Sequence, residues 1–241
     1  MVSFPPLSDG PRVLPVIALT GCDGSGKSTL ASALVSRLGE KASAEQLYLG
    51  QSSGKIGDWI RELPLIGPPV GRYLGRKSDR VHDRPSEPPG AVTALAIYLL
   101  SRWRAHKYRH MLAMCRRGAL VITDRYPQAE IPGFLFDGPE LAKTQGGSWW
   151  VRWLRERELK LYRWMATGVP MLVIRLNVDE ATAHARKPDH KLASLRKKIA
   201  ALPHLTFNGA RILDLDGRDD AAHVLDASLR AVHGALEATP A

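Results

Sequence analysis

From Gly21 to Thr29 the chain reads Gly-Cys-Asp-Gly-Ser-Gly-Lys-Ser-Thr: a glycine, four residues, then Gly-Lys-Ser. No other stretch restricts the fold as strongly. Before it stands a short apolar run of β type, Val13 to Leu19. After it, Leu30, Leu34 and Leu38 recur at helical spacing and Gly39 stops the pattern. A buried strand that turns through glycines into a helix is the context this spacing requires.

The spacing has a chemical meaning. Glycines let the backbone curl so that successive N–H groups point inward, and the helix N-terminus adds partial positive charge at the same spot. Such a loop cradles phosphates. Lys27 then reaches the outer phosphates and the Ser28 hydroxyl is a ligand for Mg²⁺. The residues expected to hold a nucleoside triphosphate are Gly21, Asp23, Gly24, Ser25, Gly26, Lys27, Ser28 and Thr29.

The rest of the chain alternates strands and helices. Strands are expected at 45–49, 119–123, 171–176 and 211–215. Helices are expected at 59–63, 91–117, 149–167 and 179–186, then up to Leu202, and at 219–238. Residues 1–12 read as a tail and 13–241 as one domain. Two long loops, 64–90 and 127–148, interrupt it, and Gly168 and Pro170 punctuate the approach to the fourth strand. Alternation of this kind predicts an α/β fold, a three-layer α/β/α sandwich around a mostly parallel five-stranded sheet. Trp153, Leu154, Leu161 and Trp164 read as the packing face of the helix at 149–167.

Composition sets outer limits. A length of 241 residues with 44% hydrophobic residues suits a single core. The net charge of +10 fits either a polyanionic partner or a site that clamps two phosphorylated ligands. Nucleic acid is the less expected of these. Cys22 and Cys115 form no disulfide framework or metal-ligand spacing, so a reduced, cytoplasmic setting is expected. The longest apolar run, Ala91 to Leu100, is too short to span a bilayer.

Asp124 follows the apolar strand at 119–123, where a carboxylate can hold Mg²⁺ or orient the attacking group. The glycine loop together with Asp124-Arg125-Tyr126 resembles the thymidylate kinase family. Gly57-Asp58-Trp59-Ile60-Arg61-Glu62-Leu63 is similar to that family's Gly-Glu-x-Ile-Arg segment, and Leu99 to Ala105 to its Leu-Phe-x-x-Asp-Arg-Ala segment. The resemblance covers most of the chain in order, though only the loop is specific by itself. It implies a P-loop kinase fold with a short lid at about 186–197. The implied reaction is ATP- and Mg²⁺-dependent phosphoryl transfer to a small nucleotide acceptor, dTMP by default. A homodimer is compatible with it.

Residue by residue, the resemblance gives Arg61, Arg104 and Arg125 to the acceptor's phosphate and Asp23 to its sugar hydroxyl. Leu100 falls where the family's thymine-stacking phenylalanine stands. Tyr126, Tyr98 or Trp103 can stack on a base in its place. The family's Arg-Glu-Pro is absent from 49–54, so phosphate contacts are kept while base contacts differ. Some family members carry a catalytic arginine where this chain has Gly24. The missing charge is then expected from the lid. Arg186 matches the arginine that lies over adenine, and Lys187, Lys191 and Arg196 are the nearer candidates. Two alternatives stay open: a related kinase for another phosphorylated metabolite or a nucleoside, and a non-catalytic nucleotide switch.

Overall fold

The structure, a computed structural model, describes residues 12–39, 43–51, 88–133, 137–189 and 192–238. Arg61, Lys191 and the helix expected at 59–63 lie outside these. Five strands, β1 (Arg12–Gly21), β2 (Ala44–Tyr48), β3 (Leu120–Asp124), β4 (Gly168–Asn177) and β5 (Ile212–Asp216), form one sheet. Its order is β2-β3-β1-β4-β5 and every pairing is parallel.

Among the described residues six α-helices accompany it: α1 (Lys27–Gly39), α2 (Ala91–Arg116), α3 (Trp149–Ala166), α4 (Glu180–Arg186), α5 (Leu192–Ala201) and α6 (Ala221–Glu237). The three-layer α/β/α arrangement follows from the period-2 alternation of strand side chains. In β1, Val16 and Ala18 face α2 and α3 and meet Tyr108, Met111, Leu161, Tyr162 and Met165. Ile17 and Leu19 point the other way, onto Leu30, Leu34 and Leu38 of α1 and Val224 and Val232 of α6. Because β1 is buried on both faces and paired on both edges, the loop that leaves its end has a fixed starting point.

The sheet departs from expectation at β4. Gly168 and Pro170 are strand residues, not punctuation, and β4 runs ten residues. Leu14 pairs with Pro170 and Ile17 with Leu172, so two residues of β1 oppose one of β4. Pro15 sits in that bulge. Neither proline can donate to the ladder, and a bulge is where a sheet tolerates this.

The tryptophans of α3 divide. Trp164 packs edge-on to Tyr108 at 5.3 Å, as expected of a core residue. Trp149 and Trp153 instead stand 68% and 38% exposed. Trp153 stacks on Trp150 at 4.9 Å and lies under the Arg157 guanidinium at 4.7 Å. Among the described residues no helix is long and apolar enough to cross a membrane.

One carboxylate fastens α2, α3 and the intervening loop. Glu158 of α3, fully buried, accepts from Ser101 Oγ on α2 and from the Leu141 N–H, each at 2.7 Å. Burial pushes its pKa up to about 7, against those hydrogen bonds, from an ordinary 4.5. A carboxyl raised in the folded state stabilises fully below its unfolded value and loses that contribution as pH rises through the folded one. The stability of the wild type relative to Glu158→Gln is therefore expected to fall by roughly 2–3 kcal/mol between pH 4.5 and pH 8. Urea denaturation of both proteins across that range measures it. A constant difference contradicts the assignment.

Candidate phosphate-handling site

The glycine loop leaves β1 at Gly21 and enters α1 at Lys27. Two glycines there are structurally required. A Cβ on Gly21 (φ +153°) would lie 2.5 Å from Ser25 Oγ and 2.7 Å from the Leu176 carbonyl. One on Gly24 (φ +85°) would lie 2.9 Å from the Ala183 carbonyl, where α4 passes the loop. Larger residues would push the loop off its neighbours. Ser28 and Thr29 are exposed in the first turn of α1, and Ser25 Oγ is buried without a hydrogen-bond partner.

Lys27 folds over the loop. Its Nζ donates to the carbonyls of Gly21 at 3.0 Å and Cys22 at 2.7 Å. Burial lowers its pKa, opposed by the carboxylates of Asp124 and Asp23. Asp124 closes β3, whose pairing aligns it with Leu19 of β1. Its Oδ1 is buried with no hydrogen-bond partner. Burial raises its pKa, opposed by the charges on Lys27 and Arg125.

Arg125, next in the chain, takes a left-handed backbone conformation with φ 61°. A non-glycine residue held there marks a position fixed by its surroundings. Its Nη2 meets Asp23 Oδ1 at 3.4 Å and its Nη1 meets Asp137 Oδ1 at 3.8 Å. Lys27, Asp23, Asp124, Arg125 and Asp137 line one open cleft, with Leu202, Leu205 and Phe207 as its apolar wall.

Other expected residues lie elsewhere. Arg104 is only 1% exposed. Its Nε donates to the Leu49 carbonyl at 2.9 Å, its Nη1 to the Asp137 carbonyl at 2.9 Å and Tyr162 Oη at 3.2 Å, and its Nη2 to Asp137 Oδ1 at 2.7 Å. It holds Asp137 and does not line the cleft; nor does Leu100, buried on α2.

Tyr126 reaches the cleft wall, but its ring belongs to the core. Its hydroxyl donates to the Gly168 carbonyl at 2.9 Å and meets Tyr108 Oη at 3.2 Å. A ring held in this way is no base-stacking platform. Trp103 is stacked on His106 and Tyr98 is partly buried between two core clusters.

The lid candidates also separate. Arg186 Nη1 bridges the carbonyls of Gly24 at 3.2 Å and Gly217 at 2.8 Å, tying the glycine loop to the turn after β5. Lys187 is exposed behind the end of α4. Arg196 is directed onto Glu180 at 2.6 Å, in solvent.

Lys198, absent from the expected residues, is the α5 cation that enters the cleft, where it pairs with Asp23 Oδ2. Burial opposes the Asp23 charge, but Lys198 overrides it and holds the carboxyl at about 2. Helical spacing contains the clue. Lys198 stands three residues after Leu195, the buried residue of α5, whereas Arg196 follows it directly and faces away.

No protein-family model matches the chain. The sequence is 63% identical over 221 residues to the uncharacterized ATP-binding protein YghS of Escherichia coli K12, covering 92% of this chain and 93% of that protein. It is 40% identical over 223 residues to the uncharacterized ATP-binding protein YghR of the same strain, covering 92% and 88%.

Arg104 and Asp137 form a buried ion pair at the back of the cleft. Removing the carboxylate in Asp137→Ala leaves a buried guanidinium without its counter-charge. The expected cost is about 3–5 kcal/mol of unfolding free energy, measured by chemical denaturation. A loss under about 1 kcal/mol, the scale of an exposed pair, contradicts the buried-pair reading.

Proposed function

The chain belongs to the same family as YghS and YghR, and from that premise we propose that it binds ATP at the glycine loop and transfers the terminal phosphoryl group to a small nucleotide-type acceptor. One observation carries this reading: Lys27, Asp124 and Arg125 converge on a single cleft at the C-terminal ends of two neighbouring strands. Ligands of parallel α/β sheets bind at that edge.

Phosphoryl transfer needs positioning and charge neutralisation more than covalent chemistry. Lys27 exchanges the carbonyls of Gly21 and Cys22 for oxygens of the outer phosphates. Backbone N–H groups of the loop and the start of α1 cradle the rest. Arg125 faces the cleft and presents its fork to the acceptor's phosphate. Arg104 acts behind it, through Asp137, as a positioning residue.

The donor set fits Mg²⁺. Asp124 keeps a buried carboxylate oxygen unpartnered, and Ser28 offers an exposed hydroxyl at the head of α1. Among the described residues no group of three His, Cys, Asp or Glu forms a dedicated cage. Two protein oxygens, completed by phosphate oxygens and water, is the usual Mg²⁺ arrangement beside a nucleotide. Bound there, the ion would neutralise charge between the outer phosphates.

Among the described residues, the groups that the resemblance sets against the acceptor's base do not stand on the cleft as base contacts. Leu100 lies outside the cleft wall and the Tyr126 ring is committed to the core. A panel of dTMP, dUMP, the other nucleoside monophosphates and free nucleosides, with ATP, Mg²⁺ and coupled ADP detection, tests the proposal. One phosphorylated acceptor is expected to accelerate ADP release over water and over every free nucleoside. Lys27→Ala is expected to lower that rate at least about 100-fold. Activity confined to unphosphorylated nucleosides, or full activity of Lys27→Ala, contradicts it.

A further inference from the structure

Lys198 and Asp23 are neighbours by construction. Leu195, one turn earlier on α5, is buried against Cys22, Val178 and Ala183, which seats the helix on the glycine loop beside Asp23. At its other end α5 runs into the turn at 202–209, which is held from two sides. Arg175 Nη2 donates to the Leu205 carbonyl at 2.9 Å. Glu130 accepts from the Thr206 N–H at 2.7 Å, the Thr206 hydroxyl at 2.9 Å and the Asn208 N–H at 2.8 Å. The helix backbone is therefore fixed over the cleft. What can still move is the four-carbon stem of Lys198.

Among the described residues the charges around that stem are closely balanced. Lys27, Arg125 and Lys198 line the cleft with Asp23, Asp124 and Asp137. Arg125 is shared between two carboxylates. Gly24 adds no side chain, so Lys27 is the loop's sole cation, and a triphosphate carries more negative charge than one lysine neutralises. Lys198 has 12% of its side chain exposed and meets an acid that belongs to the loop itself. An anion settling on the loop competes with Asp23 for the same ammonium group.

Resting on the ATP reading above, we propose that Lys198 is a ligand of the triphosphate's terminal phosphate, and that Asp23 holds it in place until the nucleotide arrives. On binding, the ammonium turns from the Asp23 carboxylate to a phosphate oxygen. A compact, rotatable ammonium suits such an exchange better than a guanidinium pinned by two acids. Lys198 thus supplies from α5 a second cation beside the loop's single lysine.

The test is calorimetric titration of wild type, Lys198→Ala and Lys198→Arg with Mg²⁺ and, separately, the β,γ-imido analogue of ATP, ADP and dTMP. Lys198→Ala is expected to weaken the triphosphate analogue about 10- to 100-fold, the scale of one charged hydrogen bond. ADP affinity should stay within about threefold, which also reports a folded loop, and Lys198→Arg should recover most of the loss. Equal weakening of analogue and ADP makes Lys198 structural and overturns the proposal, as does an unchanged analogue affinity. A loss confined to dTMP assigns Lys198 to the acceptor and also overturns it. Failure of the wild type to bind either adenine nucleotide refutes the ATP reading itself, and this inference falls with it.

Discussion

A buried charge must find a partner, and in this protein that requirement strings the site together. Arg104 lies in the interior, where an unpaired guanidinium costs several kcal/mol. Asp137 answers it at 2.7 Å, and the same carboxylate oxygen faces Arg125 at 3.8 Å. Arg125 continues to Asp23, and Asp23 to Lys198. The chain of ion pairs joins α2, the loop after β3, the end of β3, the glycine loop and α5. Each element carries one charge of a set that only the assembled fold brings into alternating contact. Movement of α5 or of the loop at 137 is therefore felt at the glycine loop through Coulomb attraction and through packing.

This arrangement clarifies how much the sequence reveals. The glycine loop was legible because its function is encoded in consecutive residues, and β1, β3 and β4 were legible because strands buried on both faces read as apolar runs. The extension of β4 through Gly168 and Pro170 was hidden. It depends on a bulge at Pro15, more than a hundred residues earlier. Arg104 was visible as an arginine in a suggestive segment, but its partner Asp137 stands 33 residues away in a loop without periodicity. Its role as a prop for Asp137 could not be read from either place. Lys198 had a local signal, its spacing from Leu195, yet basic residues are common on α5 and only the fold places one of them over Asp23.

The site also separates two tasks. Groups suited to phosphate are gathered at the strand ends, with glycine backbone, Lys27, Arg125 and Lys198 on one cleft. Two described aromatic residues expected to read a base are turned to other ends: Tyr126 braces Gly168 and Tyr108, and Trp103 stacks on His106. On the proposed reading, the described cleft carries the chemistry of transfer, and these two aromatic residues add no base contact to it. Electrostatic positioning of this kind acts equally on any acceptor whose phosphate reaches Arg125, so substrate choice is left to groups that meet the rest of the molecule.

The proposed transfer of a phosphoryl group differs from mere holding or hydrolysis of a nucleotide in where the terminal phosphate ends up. Tracing the terminal phosphate of ATP labelled with heavy oxygen at the γ position, by mass spectrometry of the small-molecule products, addresses this most directly. The intact labelled phosphoryl group is expected on a nucleotide acceptor, in step with ADP formation. Label recovered only in unreacted ATP, or only as orthophosphate whichever acceptor is supplied, would contradict it.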